Sequence, residues 1–587
     1  MSPLVEHYKK ANAWLERALW RIDPCDDPEA EKLSPWALIT FFIALTISLS
    51  IYWKFKFQPM QDVGHHVAHS AIVADFSRPG SLYPSLYFPP DPLLANSFLY
   101  TVAGYLGKLT GVTFAFRLCM SFYLAGVPLA NLYALRVFGR SAWPAILAVP
   151  LVYGMNWFAG FANLLFAGPF LVISIPLFYR AITKPTPVRT LVASFTIACT
   201  FLSHAHVFLW LGALTMTITF IVAMQVVLRS LRHREGTPRV LGGTLRDGTR
   251  EAIARVSNAI GANLRVGILA LLAVIPAMGL FSRWYKFAFG EARTQGAVTA
   301  VTSGWDNHYG AHFHTTDGLF YNIYTYCLKL FTDDADLLFY VKVMLVCGVA
   351  VTAARRQKWT TPPILELMFL MTFGSYFYLP ESIDTNPVVG SRQMAMSFWF
   401  AAVFATPVLP SVSRILRGIV IAGIVIVSFS FLSVYKEKVV DFQKKEVDGL
   451  EYVLDGMPYR KTLAYVKIFP DTSTVFTWKP NWHVEKYYMA DKFGQCPDNP
   501  AIVSTSSIRY LPTVDPHRLD FNRPNWPMSD IWKYYDGILV RGWIPTPEQL
   551  EAAKEKGVLI RKQGQWQLWR AKGPWQETGD GMPPHLP

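Results

Sequence analysis

Gln61-Asp62-Val63-Gly64-His65-His66-Val67-Ala68-His69 follows closely on an apolar run at 37–57. That run is about long enough to cross a bilayer. At helical spacing, Asp62, His65, His66 and His69 fall at i, i+3, i+4 and i+7, so one carboxylate and three imidazoles share a face. Such a carboxylate could accept a proton from an acceptor hydroxyl, or hold a divalent cation together with the histidines. The plainer alternative is an interfacial helix whose polar face is only wet. Four titratable groups on one face exceed what solvation needs. An apolar anchor followed at once by this face predicts a membrane protein that carries a site at the bilayer surface.

The rest of the chain fits that reading. Of its 587 residues 52% are hydrophobic and only 16% are charged, against about 25% charged in an ordinary soluble domain. This composition excludes a disordered chain or a coiled coil and argues against a soluble enzyme. Apolar segments recur at 93–110, 113–136, 141–154, 160–182, 188–204, 206–228, 266–283, 336–354, 362–379, 392–410 and 415–434, with a weaker one at 318–331. The fold class expected is mainly α: a polytopic membrane protein with about 11–13 transmembrane helices and a C-terminal α/β domain outside. The six cysteines form no CxxC pair, so neither a disulfide framework nor a structural zinc site is expected. The first 34 residues show no cleavable leader. Their stripe Val5, Tyr8, Ala11, Leu15, Leu19 suits an amphipathic helix on the membrane surface or a plain tail helix.

A net charge of +14 does not mark a nucleic-acid partner, because the basic residues cluster between apolar runs. The loop 229–265 holds eight Arg against Glu235, Asp247 and Glu251. By the positive-inside rule that loop, 355–358 and the pair Arg414, Arg417 are cytoplasmic. The domains read as a cytoplasmic segment 1–34, a transmembrane domain 35–435 with outer loops 58–92 and 284–335, and an extracytoplasmic domain 436–587. The early half closes only if one candidate between 93 and 228 fails to cross. In the tail, Thr474–Trp478, Gly537–Arg541, Val558–Arg561 and Trp566–Trp569 read as strands, and Pro547–Lys556 reads as a helix.

Other residues could serve the same outer surface. Asp91 sits in Tyr87-Phe88-Pro89-Pro90-Asp91-Pro92, where the prolines set a turn, and it either faces the Asp62 cavity or solvates that turn. His204 and His206 lie between two apolar segments and could touch a ligand. Asp306, His308, His312 and His314 form a further concentration of metal-type ligands, although Gly304 and Gly310 favour a loop with ordinary hydrogen bonds. Arg392 stands at the outer mouth of a segment. It either pairs with Glu381 or Asp384 or grips a lipid-linked phosphate in a bidentate contact. No P-loop, no GxGxxG after a strand, no GxSxG and no HExxH is present, which argues against a nucleotide-driven enzyme or a serine hydrolase.

The layout resembles the GT-C-type glycosyltransferases, integral membrane enzymes that use polyprenyl-phosphate-linked sugars. The resemblance rests on Gln61-Asp62-Val63-Gly64-His65-His66, the Pro89-Pro90 entry into the next segment, and Gly160-Phe161-Ala162-Asn163. In the tail it rests on Tyr534-Tyr535-Asp536-Gly537-Ile538-Leu539-Val540-Arg541-Gly542 and Gly564-Gln565-Trp566-Gln567-Leu568-Trp569-Arg570. It implies Asp62 as general base, a cavity at the outer leaflet and a lipid-phosphate donor. His65, His66, His69, Asp91, His204, His206 and Arg392 are then the candidates for substrate contact. The acceptor would be an envelope glycan, lipid or protein, the location a bacterial plasma membrane, and a divalent cation the one cofactor to consider. The commoner pattern of the group has a second acidic residue after the first, where this chain has Val63 and then histidines. A transporter or flippase, or a non-catalytic scaffold, is the alternative. The two classes separate on whether the Asp62 face and Arg392 meet in one place.

Overall fold

The computed structural model describes residues 34–232, 245–289, 311–312, 321–354, 364–379, 382–383, 389–401, 414–468, 473–496, 507–511 and 525–573. The expected N-terminal amphipathic helix lies outside them.

The membrane part is a helical bundle: α1 Pro35–Lys54, α2 Val63–Asp75, α3 Phe98–Thr110, α4 Val112–Val137, α5 Ala145–Leu151, α6 Met155–Ala159, α7 Ala162–Thr183, α8 Pro187–Ser203, α9 Ala205–Arg232, α10 Leu245–Phe289, α11 Ala335–Ala354, α12 Ile364–Ser375, α13 Val389–Ala401 and α14 Arg414–Phe442. Among the described residues six helices are long and apolar enough to cross a membrane, the first at Pro35–Lys54 and the last at Ile415–Val447. Pro35 stands at the start of α1, where a missing N–H costs nothing. In the weak segment 318–331 the described residues include a short π-turn, Ile323–Leu328.

The segment that does not cross is α3. The N–H of Ser97, just before it, donates to the Leu202 carbonyl at the end of α8 (3.1 Å). Just after it, Gly111 adopts φ +86° and turns the chain into α4. There the Thr113 hydroxyl donates to Asp491 of the C-terminal domain (2.7 Å). Both ends of α3 therefore sit at the end of the bundle that carries the tail, and the helix lies along that end. It packs on α2, with Gly104 so close to Val73 that an added Cβ would come within 2.7 Å of the valine Cβ. The expected span at 93–110 is thus corrected to an end-on helix. α1 ends at the tail, where Lys56 just after it pairs with Glu451 (2.8 Å), so Pro35 lies at the other end of the bundle.

The tail holds a four-stranded sheet in the order β3-β4-β6-β5, from Leu463–Lys467, Gly537–Arg541, Trp566–Ala571 and Gly557–Gln563; the loop strands Ala311–His312 and Ser382–Ile383, β1 and β2, pair separately. β3 and β4 are parallel and the other pairs antiparallel. The helix at Pro547–Lys556 forms as expected: the Thr546 side chain and Gln549 cap each other, and Pro547 opens the first turn. Thr474–Trp478 is not a sheet strand. Its edge is used by the 330–332 segment, through Thr332 N–H to Val475 O (3.0 Å) and Thr477 N–H to Leu330 O (3.1 Å).

Glu446, buried where α14 runs out into the tail, ties the two parts together. Its carboxylate accepts from Ser473 Oγ (2.6 Å), the Thr474 N–H (2.8 Å) and Asn481 Nδ2 (2.7 Å), and its carbonyl accepts from Trp566 Nε1 (3.0 Å). A buried carboxylate is tolerable only with partners of this kind. The bonds pin the stretch from Ser473 to Asn481 and so deliver the next residues, Trp482 and His483, onto α2.

Candidate active site at the tail end of the bundle

Asp62 is placed by the end of a short helix. The last carbonyls of α6 would be orphaned. Those of Phe158 and Ala159 instead accept the N–H groups of Gln61 (2.8 Å) and Asp62 (3.1 Å). Gly160 follows in the left-handed region at φ +78°. A side chain there would strike the Asp62 backbone nitrogen, so this approach needs glycine. Asp62 then heads α2, but its side chain makes no cap hydrogen bond. The carboxylate instead has Oδ1 3.8 Å from Nε2 of His483.

The predicted polar face divides in two. His65 turns toward the tail, its ring centroid 3.6 Å from that of His483. His66 and His69 turn toward Tyr100 of α3. His66 Nδ1 is 2.8 Å from the Tyr100 hydroxyl, and His69 meets the same ring edge-on at 4.9 Å. Asn163, at the start of α7, donates to the Tyr100 hydroxyl (2.8 Å) and to the Asn96 carbonyl (3.2 Å). The tyrosine proton is thereby left for His66 Nδ1, and the other ring N–H of His66 is aimed at the Gly160 carbonyl.

Arg392 lies in electrostatic reach of His66, His204 and His206, so four of the predicted residues do come together. Its guanidinium stacks over Phe161 at 4.0 Å, and its carbonyl accepts from Asn156 Nδ2 (3.3 Å). A cation held over a ring has its face fixed. His206 Nε2 accepts from Trp210 Nε1 (3.3 Å) and His204 Nδ1 from the Val207 N–H (3.4 Å). Each ring then keeps its proton on the other nitrogen, as a neutral donor. The cluster offers N–H groups and one positive charge, which suits an anion.

Asp91 is engaged elsewhere: Oδ2 pairs with Arg283 (2.6 Å) and Oδ1 accepts from the Leu93 N–H (2.9 Å). Asp306, His308, His314 and the alternative Arg392 partners Glu381 and Asp384 lie outside the described residues. His312 is in β1, paired with Ser382. Among the described residues no three metal-type side chains are grouped to hold a cation.

Burial, reinforced by His69 and Arg392 and opposed by the Gly160 carbonyl, pushes His66 down to about 3. In the unfolded chain such a ring binds its proton near pH 6.5. Between the two values the unfolded state holds more protons, so this term is present above about pH 6.5 and is lost as pH falls toward about 3. The drop in Tm from about pH 7 to about pH 5 should therefore be smaller in His66→Gln than in the wild type. An equal drop in both would contradict the buried neutral ring.

Sequence reading missed His483, Tyr100 and Asn156. The hydrogen bond from the Lys479 N–H to Gln61 Oε1, in the segment that brings His483 in, joins residues 418 apart in the chain. No local signal could have found it. Tyr100 was hidden by the misread span. Asn163 was legible, in Gly160-Phe161-Ala162-Asn163.

A multi-pass bundle with a carboxylate-bearing helix at one end and a small mixed-sheet domain over it is an architecture shared with a solved structure. The chain matches the crystal structure of ArnT from Cupriavidus metallidurans bound to undecaprenyl phosphate with a TM-score of 0.50, over 91% of this chain and 97% of that one, at 10% identity. No protein-family profile and no curated protein matches the sequence.

Proposed function

We propose that this protein is a membrane glycosyltransferase that moves a sugar from a polyprenyl-phosphate donor to an envelope acceptor at the outer face of the membrane. The observation that carries this is the convergence of Asp62 with its histidine helix, His204, His206 and Arg392 at one end of the bundle, beneath the tail. The shared fold with ArnT, whose structure holds undecaprenyl phosphate, supports a lipid phosphate as the anion.

In this reading an acceptor hydroxyl gives its proton to the Asp62 carboxylate. The freed oxygen bonds to the anomeric carbon. The bond from that carbon to the phosphate oxygen breaks, and its electron pair leaves with the polyprenyl phosphate. Arg392 offsets the growing phosphate charge, and the N–H groups of His204 and His206 share it. The basic loop 229–265 supports a cytoplasmic location for the opposite end.

Two measurements test this. A reporter active only outside the cytoplasm, fused after Pro587, should be active; activity only of a cytoplasmic reporter would invert the site. Mass spectrometry of envelope glycans from cells with and without the protein should reveal one missing sugar substituent. Identical glycan profiles would count against a transferase.

A further inference from the structure

The tail does more than cover the site: it reaches into it. His483 has only 7% of its side chain exposed and is 3.8 Å from Asp62. Its ring is held on two sides, stacked on Trp482 (5.6 Å, 6° between planes) and against His65. Its backbone is seated as tightly: a Cβ on Gly64, the second residue of α2, would collide with the His483 carbonyl. The neighbouring Lys479 N–H donates to Gln61 Oε1 (3.2 Å), next to Asp62. Thus residues on either side of Asp62 are fitted to the tail segment that carries His483.

A carboxylate that takes a proton from a substrate hydroxyl must present one oxygen in one direction, and an error of about 1 Å can cost a hundredfold in rate. At the head of α2 the Asp62 side chain makes no cap hydrogen bond, and the tail ring of His483 lies beside it. We infer that His483 is a positioning residue for Asp62: its imidazole, with Nε2 3.8 Å from Oδ1, bounds that side of the carboxylate by contact and charge so that the other oxygen faces the acceptor. The assignment rests on the transferase reading. It adds that the C-terminal domain is a part of the active site and that catalysis requires its docking on α2.

The test uses the full-length purified protein. His483→Ala should lower kcat for sugar transfer by roughly tenfold to a hundredfold, with the KM for the lipid donor little changed. His483→Gln keeps a side-chain N–H of similar reach and should retain more activity. Added imidazole should restore part of the rate to His483→Ala, an effect that a purely structural role would not show. Gly64→Ala removes no functional group but forces the tail off α2. It should lose transfer as severely, without rescue by imidazole. Transfer by His483→Ala at the wild-type rate, or no response to imidazole, overturns the inference. Independently of activity, Asp62→Cys with His483→Cys should be joined by a short bis-maleimide in the intact protein. No crosslink overturns the inference even if the wild type is active. A crosslink in a protein whose wild type transfers no sugar overturns the transferase reading, and with it the role of His483, while the contact stands.

Discussion

Asp62→Asn should fold and insert normally and lose sugar transfer by roughly a hundredfold or more, the usual size of a lost general base. The amide keeps the shape of the carboxylate and cannot take a proton. Little else changes, because the position of Asp62 depends on its backbone: its N–H bonds to the Ala159 carbonyl, and Gly160 allows the close approach. Steady-state transfer by variant and wild type, with thermal unfolding as the folding control, gives the comparison. A folded variant working at the wild-type rate removes Asp62 from the chemistry and shifts the balance toward a transporter or a scaffold.

The second large effect concerns the anion. Arg392→Ala should raise the KM for the lipid donor by about tenfold to a hundredfold, the size of a lost hydrogen bond to a charged group. The backbone contact from Asn156 to the Arg392 carbonyl survives truncation, so the site should stay assembled. Arg392→Lys keeps the charge but not the planar fork or the stack on Phe161, and should recover only part of the loss. Competition by free polyprenyl phosphate should weaken in parallel. A variant with unchanged donor KM and unchanged competition would mean that the phosphate binds elsewhere.

Much of this was legible in the chain. The first span, the helix over the histidine stretch and the capped helix at Pro547–Lys556 rest on local pattern, and each formed within a few residues of expectation. Local pattern failed where tertiary context decides. The 98–110 helix has the apolar content of a short span, but the turn at Gly111 and the partners at its two ends lay it along the bundle. Strand β3 was missed because Leu463-Ala464-Tyr465-Val466, parallel to β4 at one edge of the sheet, is buried on both faces, which erases the alternation of a half-buried strand. Thr474–Trp478 is rich in strand-forming residues, yet its backbone is spent on the 330–332 segment.

The candidate site was legible by half for the same reason. Asp62, His65, His66 and His69 announce themselves by spacing within one helix. His204, His206 and Arg392 could be nominated one at a time, but only the packing brings them beside His66. His483 carried no mark, because its meaning depends on the Glu446 bonds that hold the stretch just before it and on the absence of a side chain at Gly64.

The central claim is chemical: a polyprenyl-phosphate sugar is consumed at this site. Purified protein incubated with a panel of such donors and envelope extract, followed by mass spectrometry of the lipid products, tests it most directly. The account predicts that at least one donor is converted to free polyprenyl phosphate as its sugar appears on an envelope component, and that Asp62→Asn abolishes both signals together. Release of no polyprenyl phosphate from any donor by folded, lipid-binding protein, or equal release by wild type and Asp62→Asn, would contradict it.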